Sequence, residues 1–508
     1  MKRPSRKKLT ALFALALVVW LCWYPKRARM LFLALPHETA IAVRTAGLAS
    51  EYKAFAANPT IIGVFARAGM SESDIERFQK NAVGVFWTLF GLTGADSVVG
   101  YVPSGAEPTS WEMLPGYLAG ASYTGWRAKP IEFLWRIKWA PGIGKLSVSE
   151  NGVRFLDFGY EPGFENFRYL GLDIVDGVLL ATYSDDPDDV LALVERVRTC
   201  GPRDPAPPVF GSGESNPPPW QGAHLATHQL WISPSLLAPV LPFDIGADLP
   251  PFGGTVGSFK NENLRASVER IKLHDGAFRG AKTFAEMREI ATPCADIPSD
   301  AARIGMVAGD ASLLTDIFAL TSRQEGIFAT YVAAKPYEGR VLGIAVPSIN
   351  GGVTFADPND AAVFHAAVAA TLKSISKSIG GLLSTAVSRD DRTLAFGTDD
   401  ASLKKQRASA TKETLSAKIG SWRSAHPDAA LVAEIDLDAL WSEVKQINAL
   451  VKLASRFVKS DELYEIAEFA AIASEIQAII PSEGRITAVV KRAESGGFEA
   501  QAQAVFGR

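Results

Sequence analysis

The densest set of groups able to do chemistry is acidic: Asp185, Asp186, Asp188 and Asp189 in the stretch SDDPDD. Four carboxylates this close invite a cation, but an EF-hand loop needs a fixed ligand spacing, a turn Gly and a closing Glu, and none stands at those offsets. The same residues read directly as a helix start. Ser184 or Asp185 caps, Pro187 takes the first turn, and the acids complement the helix dipole. Asp357 with Pro358, and Asp399 with Asp400, repeat the pattern at two other strand-to-helix junctions. His224 and His228 have the spacing of a helical ligand pair, yet LATHQLWI alternates like a strand and brings no third ligand. Ser-x-x-Lys occurs at Ser374/Lys377, Ser402/Lys405 and Ser409/Lys412 without the Lys-Thr-Gly companion that penicillin-binding enzymes require. There is no phosphate-binding loop, no G-x-S-x-G and no H-E-x-x-H, and six histidines leave few general bases. No catalytic residue, metal ligand or cofactor-binding residue is therefore expected.

The most distinctive polar–aromatic stretch is GWRAKPIEFLWRIKWAP, residues 125–141. Trp126, Trp135 and Trp139 interleave with Arg127, Lys129, Arg136 and Lys138. Tryptophan beside cations suits a membrane interface, or stacking on a sugar or peptide; the competing reading is a core helix that buries Phe133, Leu134 and Ile137. On one continuous helix Trp135 and Trp139 lie a turn apart, which places them on a shared, exposed stripe. Trp126, Trp135, Arg136, Lys138 and Trp139 are the candidate interface or ligand contacts. Of three cysteines, Cys200 and Cys294 fall in loop-like surroundings. They form a candidate disulfide for an oxidising compartment, the alternative being two separate thiols.

The element that decides where these residues live is residues 9–24, LTALFALALVVWLCWY, free of charge and flanked by Lys2, Arg3, Arg6, Lys7 and Lys8 before it and Lys26, Arg27 and Arg29 after it. As a helix it reaches about 24 Å against a hydrocarbon core of about 30 Å, a gap that snorkelling lysines and bilayer thinning close. The heavier N-terminal positive flank orients the N-terminus to the cytoplasm. A cleaved signal peptide is the rival, but Trp20, Trp23 and Tyr24 are bulky where small residues should mark cleavage. The expected location is the inner membrane, single-pass, with the bulk of the chain periplasmic or otherwise extracytoplasmic. A net charge of -3 argues against nucleic acid as a partner.

Along the chain, strand and helix signals alternate. A strand is expected at 39–45, then helices from 48 and 71, with the apolar run 82–92 read as a buried core helix. Strands follow at 97–102 and 116–123, a helix at 130–139, hairpins at 145–158 and 168–183, and a helix at 188–198. The Pro/Gly/Ser-rich run 201–219 reads as a linker. From Pro298 the order begins again. PSDAARIGMVAGDASLLTDIFAL matches PHETAIAVRTAGLASEYKAF, and DDRTLAFGTDDASLKKQ matches DGVLLATYSDDPDDVLAL. AALVAEIDLDALWSEV then matches THQLWISPSLLAPVL, placing Ile435 on Ile232, and PSEGRITAVVKR matches PFGGTVGSFKNE, placing Pro481 on Pro251. The expected organisation is a tail and anchor at 1–29, a first α+β repeat at 36–290 and a second at 298–508. The fold class expected is α+β: two related modules, each a largely antiparallel sheet with helices on one face, behind an N-terminal transmembrane helix.

PHETAIAV, following the apolar segment, resembles a pattern of bacterial envelope proteins of unknown function: one N-terminal membrane segment, then Pro-x-[Glu/Asp]-Thr-x-x-x-Val opening alternating sheet and helix. In the second repeat Ala301 replaces the Thr. The resemblance implies a compartment and no activity. The functional expectation is a membrane-anchored envelope component that binds or builds, contacting the membrane through its N-terminal helix and an envelope protein or polymer through its body. The alternative is a hydrolase or transferase using dispersed carboxylates.

Overall fold

The computed structural model describes residues 31–506 except 32–33, 37, 68, 95, 105–115, 141–143, 160–166, 200–227, 238–250, 262, 273–277, 279, 316–317, 319–322, 334–335, 342–343, 379–384, 410–412, 444–480, 482 and 494–496. The apolar segment 9–24 and the linker 201–219 thus lie outside the described residues. The helices are α1 Leu48–Ala57, α2 Pro59–Arg67, α3 Glu72–Leu92, α4 Ala128–Arg136, α5 Val190–Thr199, α6 Pro234–Leu237, α7 Pro358–Ser378, α8 Asp400–Ala408 and α9 Leu415–Ala425. Two compact units divide the chain: Met1–Ile62 with Ser71–Glu262, and Gly63–Met70 with Asn263–Arg508.

The first unit holds β1 Ile41–Ala46, β2 Asp96–Pro103, β3 Gly116–Tyr123, β4 Trp139–Ala140, β5 Gly144–Lys145, β6 Ser147–Val148, β7 Arg154–Asp157, β8 Tyr169–Val175, β9 Val178–Ser184, β10 His228–Ile232 and β11 Phe252–Val256. Antiparallel pairing sets the order β6-β7-β8-β9-β3-β2-β1-β10-β11, with β4 and β5 a separate pair. Asp176 and Gly177, both at positive φ, close the two-residue β8–β9 turn, as the right-handed twist of a hairpin favours. On one face, Val190, Leu193, Val194 and Val197 of α5 recur at helical spacing and bury against Ala42, Val98, Ala121 and Leu180.

The second unit holds β12 Leu264–Lys272, β13 Gly305–Asp310, β14 Gly326–Ala333, β15 Gly339–Val341, β16 Ile344–Val346, β17 Ser348–Phe355, β18 Ala386–Asp390, β19 Thr393–Gly397, β20 Ala429–Asp436, β21 Gly484–Arg492 and β22 Phe498–Phe506. Its order is β12-β22-β21-β20-β13-β14-β17-β19-β18, again antiparallel, with β15 and β16 a separate pair. Phe364, Val368 and Leu372 of α7 pack on Val353, Phe355, Leu394 and Phe396, while Leu415, Ile419 and Trp422 of α9 pack with Met306, Ala308, Ile327 and Ala329.

The expected fold class needs correction. The chain is mostly antiparallel sheet, with eighteen strands in the large sheet, rather than two α+β modules each closed around its own sheet. The compact units divide at 262/263. Hairpin signals mark strands, but an antiparallel edge accepts any further strand of matching length, so nothing local in a sequence says where a sheet stops. Among the described residues no helix is long and apolar enough to cross a membrane. Strand order is nonetheless parallel between the units: β9-β3-β2-β1-β10-β11 in the first, β19-β17-β14-β13-β20-β21 in the second. Register differs from the sequence alignment. Phe252 stands opposite Ile232 and Ile486 opposite Ile435, so pairing does not set Pro251 on Pro481.

Close strand packing leaves no room for a side chain at several glycines, Gly309 among them. A Cβ on Gly309 of β13 would lie 2.5 Å from the Ala430 carbonyl oxygen. Gly309→Val is expected to lower stability by about 2 kcal/mol through strand displacement. Gly420, within α9 and facing open space, should behave oppositely: Gly420→Ala is expected to raise stability by about 0.5–1 kcal/mol. Urea denaturation followed by circular dichroism measures both.

Candidate functional site

In the first unit a polar row crosses four strands. His228 of β10 stands opposite Thr45 of β1, Thr45 opposite Ser97 of β2, and Ser97 opposite Ser122 of β3, all buried. Because strand side chains alternate, these share one face, and the apolar residues packed under α5 take the other. Buried polar groups persist only when partnered, and these are: Thr45 Oγ1 lies 3.0 Å from His228 Nδ1, and Ser97 Oγ 2.7 Å from Ser122 Oγ.

Above His228 sits Glu51, in the first turn of α1 and buried. Its carboxylate faces His228 Nε2 at 3.2 Å and Lys260 Nζ at 3.0 Å, and accepts from Ser258 Oγ at 3.0 Å and Phe259 N–H at 3.1 Å. Facing a carboxylate, Nε2 is assigned the proton, which leaves Nδ1 to accept from Thr45. Asn58 reinforces the link, donating to the carbonyls of Phe259 and Asn261 at 2.9 and 3.0 Å. Burial opposes ionisation of Glu51, yet hydrogen bonds from Lys260, Ser258 and Phe259 hold its carboxyl below the usual range. For His228 burial prevails and pushes the imidazole below its ordinary value, against the pull of Glu51 and with repulsion from Lys260.

Thr45, His228 and Glu51 thus line up as hydroxyl, imidazole and carboxylate, the order of a nucleophilic triad. All three are buried, so the hydroxyl is closed to a substrate, and the arrangement fastens α1 to the sheet. Sequence reasoning missed it because His228 is 183 residues from Thr45 and 177 from Glu51. The available signal was a histidine on the inward face of a strand. His224 lies outside the described residues.

The aromatic–basic segment separates into buried and exposed parts. In α4, Ala128, Ile131 and Trp135 form the inward stripe and pack with Leu92, Leu146, Leu156 and Leu172. The Arg154 guanidinium lies over the Trp135 ring at 5.8 Å. Phe133 and Ile137, expected in the core, are exposed instead, with Arg136, Lys138 and Trp139. Trp135 and Trp139 share no stripe because the helix stops at Arg136. Lys138 takes a positive φ, and Trp139 opens β4. Trp126 falls in a 3-10 turn, Gly125–Arg127, and its side chain is outside the described residues.

The acidic cluster caps. Asp186, rather than Ser184 or Asp185, accepts from Asp188 N–H at 2.8 Å, and Ser184 Oγ donates to the Asp186 carbonyl. Burial, then the neighbouring acids, push the Asp189 carboxyl up. Asp399 caps α8 through Ser402 N–H at 2.6 Å, and Asp357 accepts from Asn359 N–H at 2.8 Å. Among the described residues no group of three or more His, Cys, Asp or Glu is placed to hold a metal ion. Ser402 is buried with Ser348 and Gln406 and donates to the Tyr337 carbonyl, while Lys405 donates to the Pro336 carbonyl, so both members of this Ser-x-x-Lys pair bond to backbone. Cys294 is a buried free thiol that burial pushes up to about 12; Cys200 lies outside the described residues.

No family model matches the chain, and no curated protein matches it. Among solved structures, "Structure of crystal form I of TP0453" aligns over 74% of this chain and 95% of that chain at 7% identity, with a TM-score of 0.17. At that score nothing about this chain's fold or function follows.

Two outcomes test the Glu51 cluster. Glu51→Ala leaves His228 and the 258–260 turn without their shared acceptor, and is expected to cost about 3 kcal/mol. Lys260→Ala, at an exposed partner, should cost less than about 1 kcal/mol. The second concerns pH. The unfolded chain protonates His228 below about pH 6.5 while the folded chain resists, so stability falls as pH drops below that value and the loss ends once the folded imidazole is protonated. Glu51, depressed in the fold, adds a further loss at lower pH, as its carboxyl protonates. Denaturation midpoints of His228→Gln should show a smaller fall between pH 7.5 and 5 than the parent.

Proposed function

We propose that this chain is a membrane-tethered, extracytoplasmic envelope protein that works by presenting a binding surface. The observation that carries the reading is the exposed set Phe133, Arg136, Ile137, Lys138 and Trp139, apolar and cationic side chains left at the surface of a unit whose buried acid and base are joined to each other. Isolated exposed apolar residues are ordinary, but a contiguous group beside cations suits an interface. The carboxyls with raised pKa support the same reading: among the described residues Asp189, Asp310 and Asp360 stand at turns and helix starts. The N-terminal apolar segment supplies the tether, and its positive flank places the body outside the cytoplasm. The parallel strand orders of the two units, together with the ordered sequence matches, support an internal duplication as the chain's origin.

A reporter fused after Arg508 tests the topology. A reporter that matures only outside the cytoplasm is expected to be active, and the protein to resist alkaline carbonate extraction from membranes. Activity of a cytoplasm-only reporter at the same position would reject the reading.

A further inference from the structure

The helical layer of the first unit carries a second exposed apolar face. The inner stripe of α3 comprises Ile75, Ala82, Thr88 and Leu92, all buried. On its other side Val83, Trp87 and Phe90, at i, i+4 and i+7, face outward, Trp87 at 63% and Phe90 at 50% exposure. The second half of α3, expected to be a buried core helix, is therefore apolar all round with only one side covered. A soluble helix seldom shows this unless its open side meets a partner. Phe86, Trp87 and Phe90 form a cluster, with ring centroids 5.2 Å apart for Phe86 and Trp87 and 6.0 Å for the other two pairs.

This face adjoins α4. The Arg127 guanidinium lies over the Phe90 ring at 5.1 Å and donates to the Thr93 carbonyl at 3.1 Å, and Leu92 shares a core cluster with Ala128, Ile131 and Trp135. Beyond that junction Phe133 and Ile137 are 63% and 62% exposed and Trp139 43%. Charge is segregated. Glu72, Asp74 and Glu76 lie in the first turns of α3, at the far end from the aromatic cluster, whereas Arg136 and Lys138 flank Ile137 and Trp139 and are exposed.

We propose that the outer faces of α3 and α4 form one surface that docks on an anionic bilayer, the membrane to which the chain is tethered; this rests on the tethered reading above. Apolar side chains enter the acyl boundary, and Arg136 and Lys138 reach phosphate headgroups with their stems along the apolar surface. The tether makes this occupant local. From Tyr24 to Ile41 the chain spans at most about 60 Å fully extended, so the first unit stays near the bilayer. Exposed aromatic and aliphatic residues with Arg136 and Lys138 beside them complement a negatively charged lipid surface.

The test uses the full chain reconstituted into vesicles with or without phosphatidylglycerol in phosphatidylcholine. Cys22 and Cys200 are replaced by Ser, and the buried Cys294 is retained. Spin labels are placed at Gly84→Cys, where α3 faces open space, at Ile137→Cys, and at Gly420→Cys in the second unit as control. In phosphatidylglycerol vesicles the labels at 84 and 137 should be accessible to oxygen and shielded from a water-soluble nickel chelate, while the label at 420 stays in water. Replacing Arg136 and Lys138 with Gln should reduce the lipid-embedded population by roughly fivefold for each cation removed. Water-exposed labels at 84 and 137, on chain that floats with the vesicles, would overturn the docking and leave the tether standing. Chain that does not float removes the tether and the docking with it. Dipolar coupling between labels on two chains, or immobilisation only by added polysaccharide, would overturn the proposal in favour of self-association or a glycan.

Discussion

A carboxylate buried beneath α1 locates the helical layer of the first unit. Glu51 joins His228 of β10, the backbone and hydroxyl of the 258–259 turn, and Lys260. Such a group is costly to bury and worth keeping only with its partners in place. It therefore makes the position of α1 specific, where an apolar contact would allow sliding. The helix α3 follows, since it packs on α1 through the edge contact of Tyr52 with Phe78 and the Lys53 ammonium over Phe86. The direction in which Trp87 and Phe90 face thus traces back to one ion pair cluster and the polar row beneath it.

The two faces of that sheet follow different physics. Under α5, small and branched residues close the core by shape alone. Under α1, Thr45, Ser97, Ser122 and His228 form a hydrogen-bonded line in register. A polar line of this kind penalises slippage, because a one-residue shift would carry every member to the apolar face and strand its partners. The polar row is consistent with a role in pairing fidelity across four strands.

The charges of this chain divide into those that hold structure and those left over. Asp186, Asp310 and Asp399 satisfy backbone N–H groups at turns and helix starts, and Arg44 grips Asp96 through two nitrogens. At the C-terminal end of α4 and just beyond it, Arg136 and Lys138 are exposed beside the exposed apolar side chains Phe133, Ile137 and Trp139. Among the described residues, that division is the physical basis of the proposal that this surface binds.

Local features were legible in the residues. The hairpin at 168–183 and the helix start at Ser71, which caps α3, were expected where they occur, and the acidic clusters announced helix starts, although the capping residue proved to be Asp186. Each depends on backbone geometry within a few positions. The orientation of α4 was not legible. Its sequence offers two apolar stripes, and only the neighbours Leu92, Leu156 and Leu172 select Ile131 and Trp135 for burial over Phe133 and Ile137. The positive φ at Lys138 that separates Trp139 from the helix is likewise set by the β4–β5 pair that follows. The union of Glu51, His228 and Ser258 is furthest from local reading. Proximity across some two hundred residues is created by strand order, and strand order is decided by which edges pair once the chain has collapsed.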